Sequence, residues 1–229
     1  MAEMELECRA GMVLLLEAAR LLGAEESGVA TSSERQLLRL LSPLLKLYTG
    51  KQCVRVVSEG IECFGGQGYM EDTGIPVILR DAQVTPIWEG TTNILSLDVL
   101  RAVSKSKGQV LTAFQSRVQS AADSSSCSQC ADRLSVAGAQ LVAFALKSGP
   151  ELEYHARDFA FGLARTLAGA FLLEQSAWNG AAESDVYAAR RWLTQRDLLP
   201  HFDTTFRVDL EHALIFDGYD PQNLLSPLS

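Results

Sequence analysis

The sequence predicts an all-α fold, a helical bundle followed by a helical extension. Apolar residues recur at three- and four-residue spacing through most of the 229 positions. Capping residues, glycines and prolines punctuate these runs where helices should start and stop. No alternating apolar and polar run is long enough to suggest a strand. The length suffices for one large or two small domains with a real core.

Taken in order, Met4 to Leu22 forms the first helix, with Leu6, Met12, Val13, Leu15, Leu16, Ala19 and Leu22 on one broad face. Gly23 serves as its C-cap and Ala24 to Ser32 as a loop. Ser33-Glu34-Arg35-Gln36 has capping-box form and opens a helix that continues to Phe64. Pro43 and Gly50 suggest a kink or break, and few charges fall on the last turns, which should be buried on most sides. Gly65, Gly66 and Gly68 stop this helix and permit positive φ or a close backbone approach. Pro76 opens a short helix, Val77 to Ala82. Thr91 or Thr92 caps the next, Asn93 to Val103, with Ile94, Leu97, Leu100 and Val103 facing inward. Lys105 to Gly108 reads as a linker, dividing a region 1–104 from a region 109–229. Beyond it, helices are expected at Val110 to Val118, Leu134 to Leu146, Glu151 to Trp178, Ser184 to Gln195 and Phe206 to Ile215.

The net charge of −8 is shared by both regions and argues against a surface built for nucleic acid or anionic lipid. Arg190, Arg191 and Arg196 read as solvated helix faces. No apolar run is long enough to span a membrane, and the acidic start, MAEMELECRAG, is neither a secretory signal nor a transit peptide. Five scattered cysteines suit reduced thiols. Cys127 and Cys130 form a C-x-x-C that could be redox-active or half of a zinc site; without a nearby second pair they read as two thiols at a loop-to-helix junction. His155, His201 and His212 lack metal-ligand spacing and read as surface or helix residues, so no metal is expected.

Only Gly60 to Arg101 looks chosen for chemistry. Glu89, between Trp88 and Gly90 in an otherwise apolar run, should be partly desolvated, which would suit a general base. The same residue reads equally well as a glutamate favoured by the following helix N-terminus. Tyr69 and Trp88 could wall a pocket, although aromatics in apolar helices are usually core.

The ordered set F-G-G-x-G-Y, then R-D-A, then I-W-E-G-T-x-N before an apolar helix resembles the C-terminal domain of the acyl-CoA dehydrogenase superfamily. The resemblance covers roughly Met4 to Val103 and is nearest to the AidB-like branch; the region beyond resembles that branch's C-terminal helices in length and helicity only. It implies an FAD-dependent oxidoreductase of fatty acid metabolism, acting on an acyl-CoA substrate in an intracellular, mitochondrial setting. Glu89 then matches the catalytic base and Gly90 a position against the substrate. Thr91, Thr92 and Asn93 match the flavin-contacting turn, and Glu62, Cys63, Phe64, Gly65 and Gly66 the helix end that touches a neighbouring subunit's flavin. This implies a homo-oligomer. Many members carry Gln at the positions of Asn93 and Glu62. Arg80 and Asp81 resemble a helix-positioning pair. AidB relatives bind DNA through a basic C-terminal region; the acidic tail here does not carry that over. Family members place a helical domain and a β-domain before this region, so the chain reads as a fragment or shortened form, or alternatively as a non-catalytic helical oligomerisation module.

Overall fold

The computed structural model describes residues 1–147, 150–200, 202 and 215. The expected helix from Phe206 to Ile215, His201 and His212 lie outside the described residues, apart from Ile215 itself. Among the described residues there are ten α-helices and no strand, as the all-α expectation requires. None of these helices is long and apolar enough to cross a membrane.

The first helix, α1 (Ala2–Glu26), continues through Gly23, and Gly28, at φ +76°, makes the stop. Gly23 was the wrong glycine because an α-helix tolerates glycine where its φ stays negative; the left-handed residue ends the helix. The second, α2 (Ser32–Cys63), is unbroken over 32 residues, with Pro43 buried inside it. Its capping box is Thr31 with Glu34 rather than Ser33 with Gln36: the Glu34 N–H donates to the Thr31 hydroxyl and the Thr31 N–H donates to the Glu34 carboxylate at 2.9 Å. Bonds to the carboxylate from the Thr31 N–H first, then Arg20 and the Thr31 hydroxyl, lower the Glu34 pKa from 4.5 to about 2. A depressed carboxylate stabilises the fold above its unfolded pKa and ceases to do so as pH falls through the folded value. Wild-type protein should therefore melt higher than Glu34→Gln near neutrality, with the gap closing between about pH 4.5 and 2; a gap independent of pH would refute this.

Gly50 does not interrupt α2 either. It admits a neighbouring segment: a Cβ there would meet the Thr85 carbonyl oxygen at 3.1 Å, and the Thr85 hydroxyl donates to the Gly50 carbonyl at 3.0 Å. Gly50 is also the last buried residue of α2, so the expected burial of the final turns is not found. At 1.5 Å per residue α2 is about 48 Å long and outruns its partner α1. The projecting turns carry α3 (Gly66–Tyr69), a 3₁₀ turn (Glu71–Thr73) and α4 (Ile75–Val84). Gly65 adopts φ +55°, while a Cβ on Gly68 would clash with the Ile61 carbonyl, so two of the three clustered glycines are required. Arg80 pairs bidentately with Glu71 at 2.9 and 3.0 Å, not with Asp81.

The remaining helices are α5 (Thr92–Lys105), α6 (Gln109–Asp123), α7 (Ser128–Ala145), α8 (Pro150–Tyr154), α9 (Ala156–Ser176) and α10 (Glu183–Gln195). One long helix was expected from Glu151; it breaks at His155, which is buried beside the Phe144 and Tyr154 rings rather than at the surface. Cys127 accepts the Cys130 N–H at the start of α7, and the two are joined as a disulfide instead of standing as free thiols. Arg191 and Arg196 are not solvated either: both pair with Glu3, and Arg196 reaches Glu7 at 2.5 Å.

At the centre lies α9, packed by α1, α2 and α5 from one side of the Lys105–Gly108 connection and by α6, α7 and α10 from the other. Its alanines and glycines make this possible. A Cβ on Gly162 would meet Leu141 at 2.8 Å, and one on Gly169 would meet Leu193 at 2.7 Å. The result is one apolar cluster drawing on both regions, from Leu14, Leu41 and Leu44 to Phe114, Phe159 and Trp192.

Candidate functional site

The segment from Thr85 to Thr91 joins α4 to α5 across the surface of α2. Two successive residues take positive φ, Glu89 at 53° and Gly90 at 110°. For glutamate this backbone is strained, and such strain persists only where the surroundings impose it. The restraint is Lys46 of α2, whose ammonium donates to the carbonyls of Trp88 at 2.5 Å and Gly90 at 2.6 Å. The turn thus has its carbonyls gathered inward on one cation and the Glu89 side chain outward. Gly90 is needed for its φ, and a Cβ would press on Leu95 at 3.1 Å. Lys46 went unremarked in the sequence; its signal was a lone charge inside the apolar run LLKLY.

Glu89 is exposed, as are Ile87 and Trp88, the latter at 57%. The expected desolvation is therefore not supplied by this chain, because one surface turn cannot enclose a carboxylate without a second body over it. Tyr69, at 83% exposed, is likewise not core. Together with Phe64, Met70, Val77, Ile78, Val84 and Ile94, these residues leave the end of α2, α3, α4 and the turn with a largely apolar, uncovered surface.

The turn runs straight into α5. Thr91 holds the N-cap position but makes no side-chain cap bond, leaving first-turn N–H groups without a side-chain acceptor. Thr92 is buried and Asn93 exposed. The fully buried face of α5 is Thr92, Ser96, Val99 and Ala102; of the residues expected inward, Leu100 and Val103 pack partly buried against the core, Leu97 is half-buried and Ile94 is exposed, because packing between α2 and α9 selects the small side chains. An Arg39–Asp98 pair at 3.1 and 3.2 Å ties α5 to α2.

The second candidate group sits elsewhere. Glu62 lies 16 residues beyond Lys46 on α2, about 24 Å along the helix axis. Glu62, Cys63, Phe64, Gly65 and Gly66 are all exposed there. The structure thus brings Glu89, Gly90, Thr91, Thr92 and Asn93 into one turn and holds the 62–66 group apart from it. The two groups also differ in chemistry. Uncapped N–H groups, a hydroxyl and an amide at the start of α5 fit an anionic phosphate. A helix C-terminus bearing the Glu62 carboxylate does not, and suits only the uncharged parts of a dinucleotide. Among the described residues no cluster of three or more His, Cys, Asp or Glu side chains could hold a metal.

Residues 1–104 match the family described as "Acyl-CoA dehydrogenase, C-terminal domain", and residues 109–215 match "Acyl-CoA dehydrogenase 11 C-terminal domain-like". Acyl-CoA dehydrogenase family member 11 of Caenorhabditis elegans is 43% identical over 235 residues, covering 96% of this chain and 38% of that protein. The putative acyl-CoA dehydrogenase AidB of Escherichia coli K12 is 39% identical over 79 residues, 34% of this chain and 15% of that protein. The crystal structure of C. elegans ACDH-11 in complex with C11-CoA superimposes with a TM-score of 0.89 at 42% identity, covering 95% of this chain and 39% of that one. The chain thus spans well under half the length of these relatives.

Proposed function

Since the chain belongs to the acyl-CoA dehydrogenase superfamily, as its C-terminal portion, we propose that it forms one wall of a flavin site in an acyl-CoA dehydrogenase, with Glu89 as the base that removes the α-proton of an acyl-CoA thioester. The observation that carries this is the strained turn: Lys46 holds the carbonyls of Trp88 and Gly90 inward and so turns Glu89 toward whatever covers it. The C11-CoA complex of the C. elegans relative supports a thioester of this class as substrate.

FAD, when bound, would accept the hydride from the substrate's β-carbon. The residues of this chain do the rest. Glu89 receives the proton at its carboxylate. Gly90 leaves room for the thioester to pass the backbone. The Thr91 hydroxyl, the first-turn N–H groups of α5 and the Asn93 amide hold a phosphate. Glu62 to Gly66, too far along α2 to serve the same flavin, meet the uncharged part of one bound by a second subunit. Covering by that subunit or a further domain would expel water from the apolar surface around Trp88, the condition in which a carboxylate becomes an effective base. The same reading assigns residues 1–104 the site and 109–229 its support, and places the protein in fatty acid metabolism. A mitochondrial setting rests on mitochondrial members among the relatives.

The uncovered apolar surface also favours a second reading, an oligomerisation module without catalysis. One measurement separates them. Both readings expect a dimer or larger in sedimentation, and a monomer would count against each. Only the enzymatic reading expects the purified protein to take up FAD; a colourless protein that FAD titration leaves unchanged would overturn it.

A further inference from the structure

We propose that Arg157, contributed by the second half of the chain, binds the diphosphate of the flavin's ADP moiety at the turn formed by the first half. The inference rests on the reading of Thr91 to Asn93 as a cofactor turn. It starts from a local conflict. Arg157 is the second residue of α9, where the helix dipole disfavours a cation and the first turn prefers acids. Residues that break a local rule without evident compensation mark sites where something else is being served.

What Arg157 gains there is not an ion pair. Among the described residues no carboxylate lies within salt-bridge distance of it, and the neighbouring Asp158 turns toward His155, at 3.9 Å. Its guanidinium is exposed and reaches across 64 positions of sequence to the Asn93 side-chain oxygen at 3.5 Å. α5 and α9 therefore begin at one corner of the bundle, each without a side-chain cap. Accepting from Arg157 on its oxygen leaves the Asn93 NH₂ free to donate outward. The corner then offers an amide donor, a planar guanidinium fork and two sets of first-turn N–H groups, a donor array suited to two linked phosphates.

The assignment also accounts for a departure. Asn93 is one methylene shorter than the Gln that many members of the superfamily carry, and Arg157 supplies charge and reach at that position. The signal in the sequence was the basic residue in an otherwise acidic opening, ELEYHARD, with nothing to say what it would face.

An ADP moiety occurs in both FAD and coenzyme A, so the test uses each. The full ¹⁵N-labelled chain is titrated with FAD, with CoA, with ADP and with uncharged adenosine, and the Thr92 and Asn93 amides are followed. FAD and ADP should shift both amides saturably. Arg157→Gln should weaken ADP about tenfold or more and flatten its salt dependence, while leaving adenosine affinity and the melting temperature unchanged. Arg157→Lys should restore part of the loss, since it keeps the charge without the fork. A response to CoA in place of FAD, equally dependent on Arg157, would support the diphosphate site and reassign its ligand. Arg157→Gln protein that binds ADP like wild type would overturn the proposal and spare the cofactor turn. Wild-type amides at Thr92 and Asn93 that respond to none of the ligands would overturn the cofactor turn itself.

Discussion

Glu89→Gln is expected to abolish flavin reduction by acyl-CoA while leaving the flavin in place. The substitution keeps shape and hydrogen bonding but removes the group proposed to accept the proton, and a positioned base contributes roughly 10²–10⁴-fold. Glu89 is exposed and Lys46 bonds to the carbonyls of Trp88 and Gly90, so the variant should retain the backbone that Lys46 holds. Rapid-mixing bleaching of the flavin measures the step directly. A rate within a few-fold of wild type would remove Glu89 from the chemistry. Loss of flavin together with rate would mean that the turn, and not its carboxylate, had been damaged.

The second large effect is expected from Trp192→Ala. This side chain is fully buried on α10, donates its indole N–H to the Arg165 carbonyl at 3.0 Å, and lies edge-on to Tyr48 of α2. Truncating a buried tryptophan costs about 3–5 kcal/mol. For a chain of this size that lowers the melting temperature by roughly 6–20 °C. Because Trp192 bridges helices from both sides of the Lys105–Gly108 connection, the loss should move one transition common to the whole chain. Two calorimetric transitions, only the later-sequence one displaced, would show the regions 1–104 and 109–229 folding separately.

The helices were legible in the sequence because their signal is local: apolar spacing and one stop residue lie within a few turns of each other. Their ends were less so. Gly23 and Gly28 look equivalent as letters and differ only in φ, and Ser33 competes with Thr31 for the cap until the chain's direction decides. On α5 the expected face holds for Leu100 and Val103 but not for Ile94, which is the larger apolar residue yet exposed, while the space between α2 and α9 admits Ser96 and Ala102. At the site the motif was readable and its environment was not. Lys46 acts on carbonyls 42 and 44 positions away, and Arg157 on an amide 64 positions away. Whether Glu89 is wet or dry depends on bodies outside the chain.

The place of α9 has an evolutionary consequence. The faces of α1, α2 and α5 that would border solvent in a shorter protein are here buried, closed by a helix encoded some fifty positions later. Deleting the later segment would uncover buried residues such as Leu14, Leu41 and Leu44 at a stroke, and the truncated chain is expected to aggregate. The extension is thus a ratchet. It could be acquired by gradual resurfacing, but it cannot be shed by a single truncation, so it persists whatever its own contribution to chemistry.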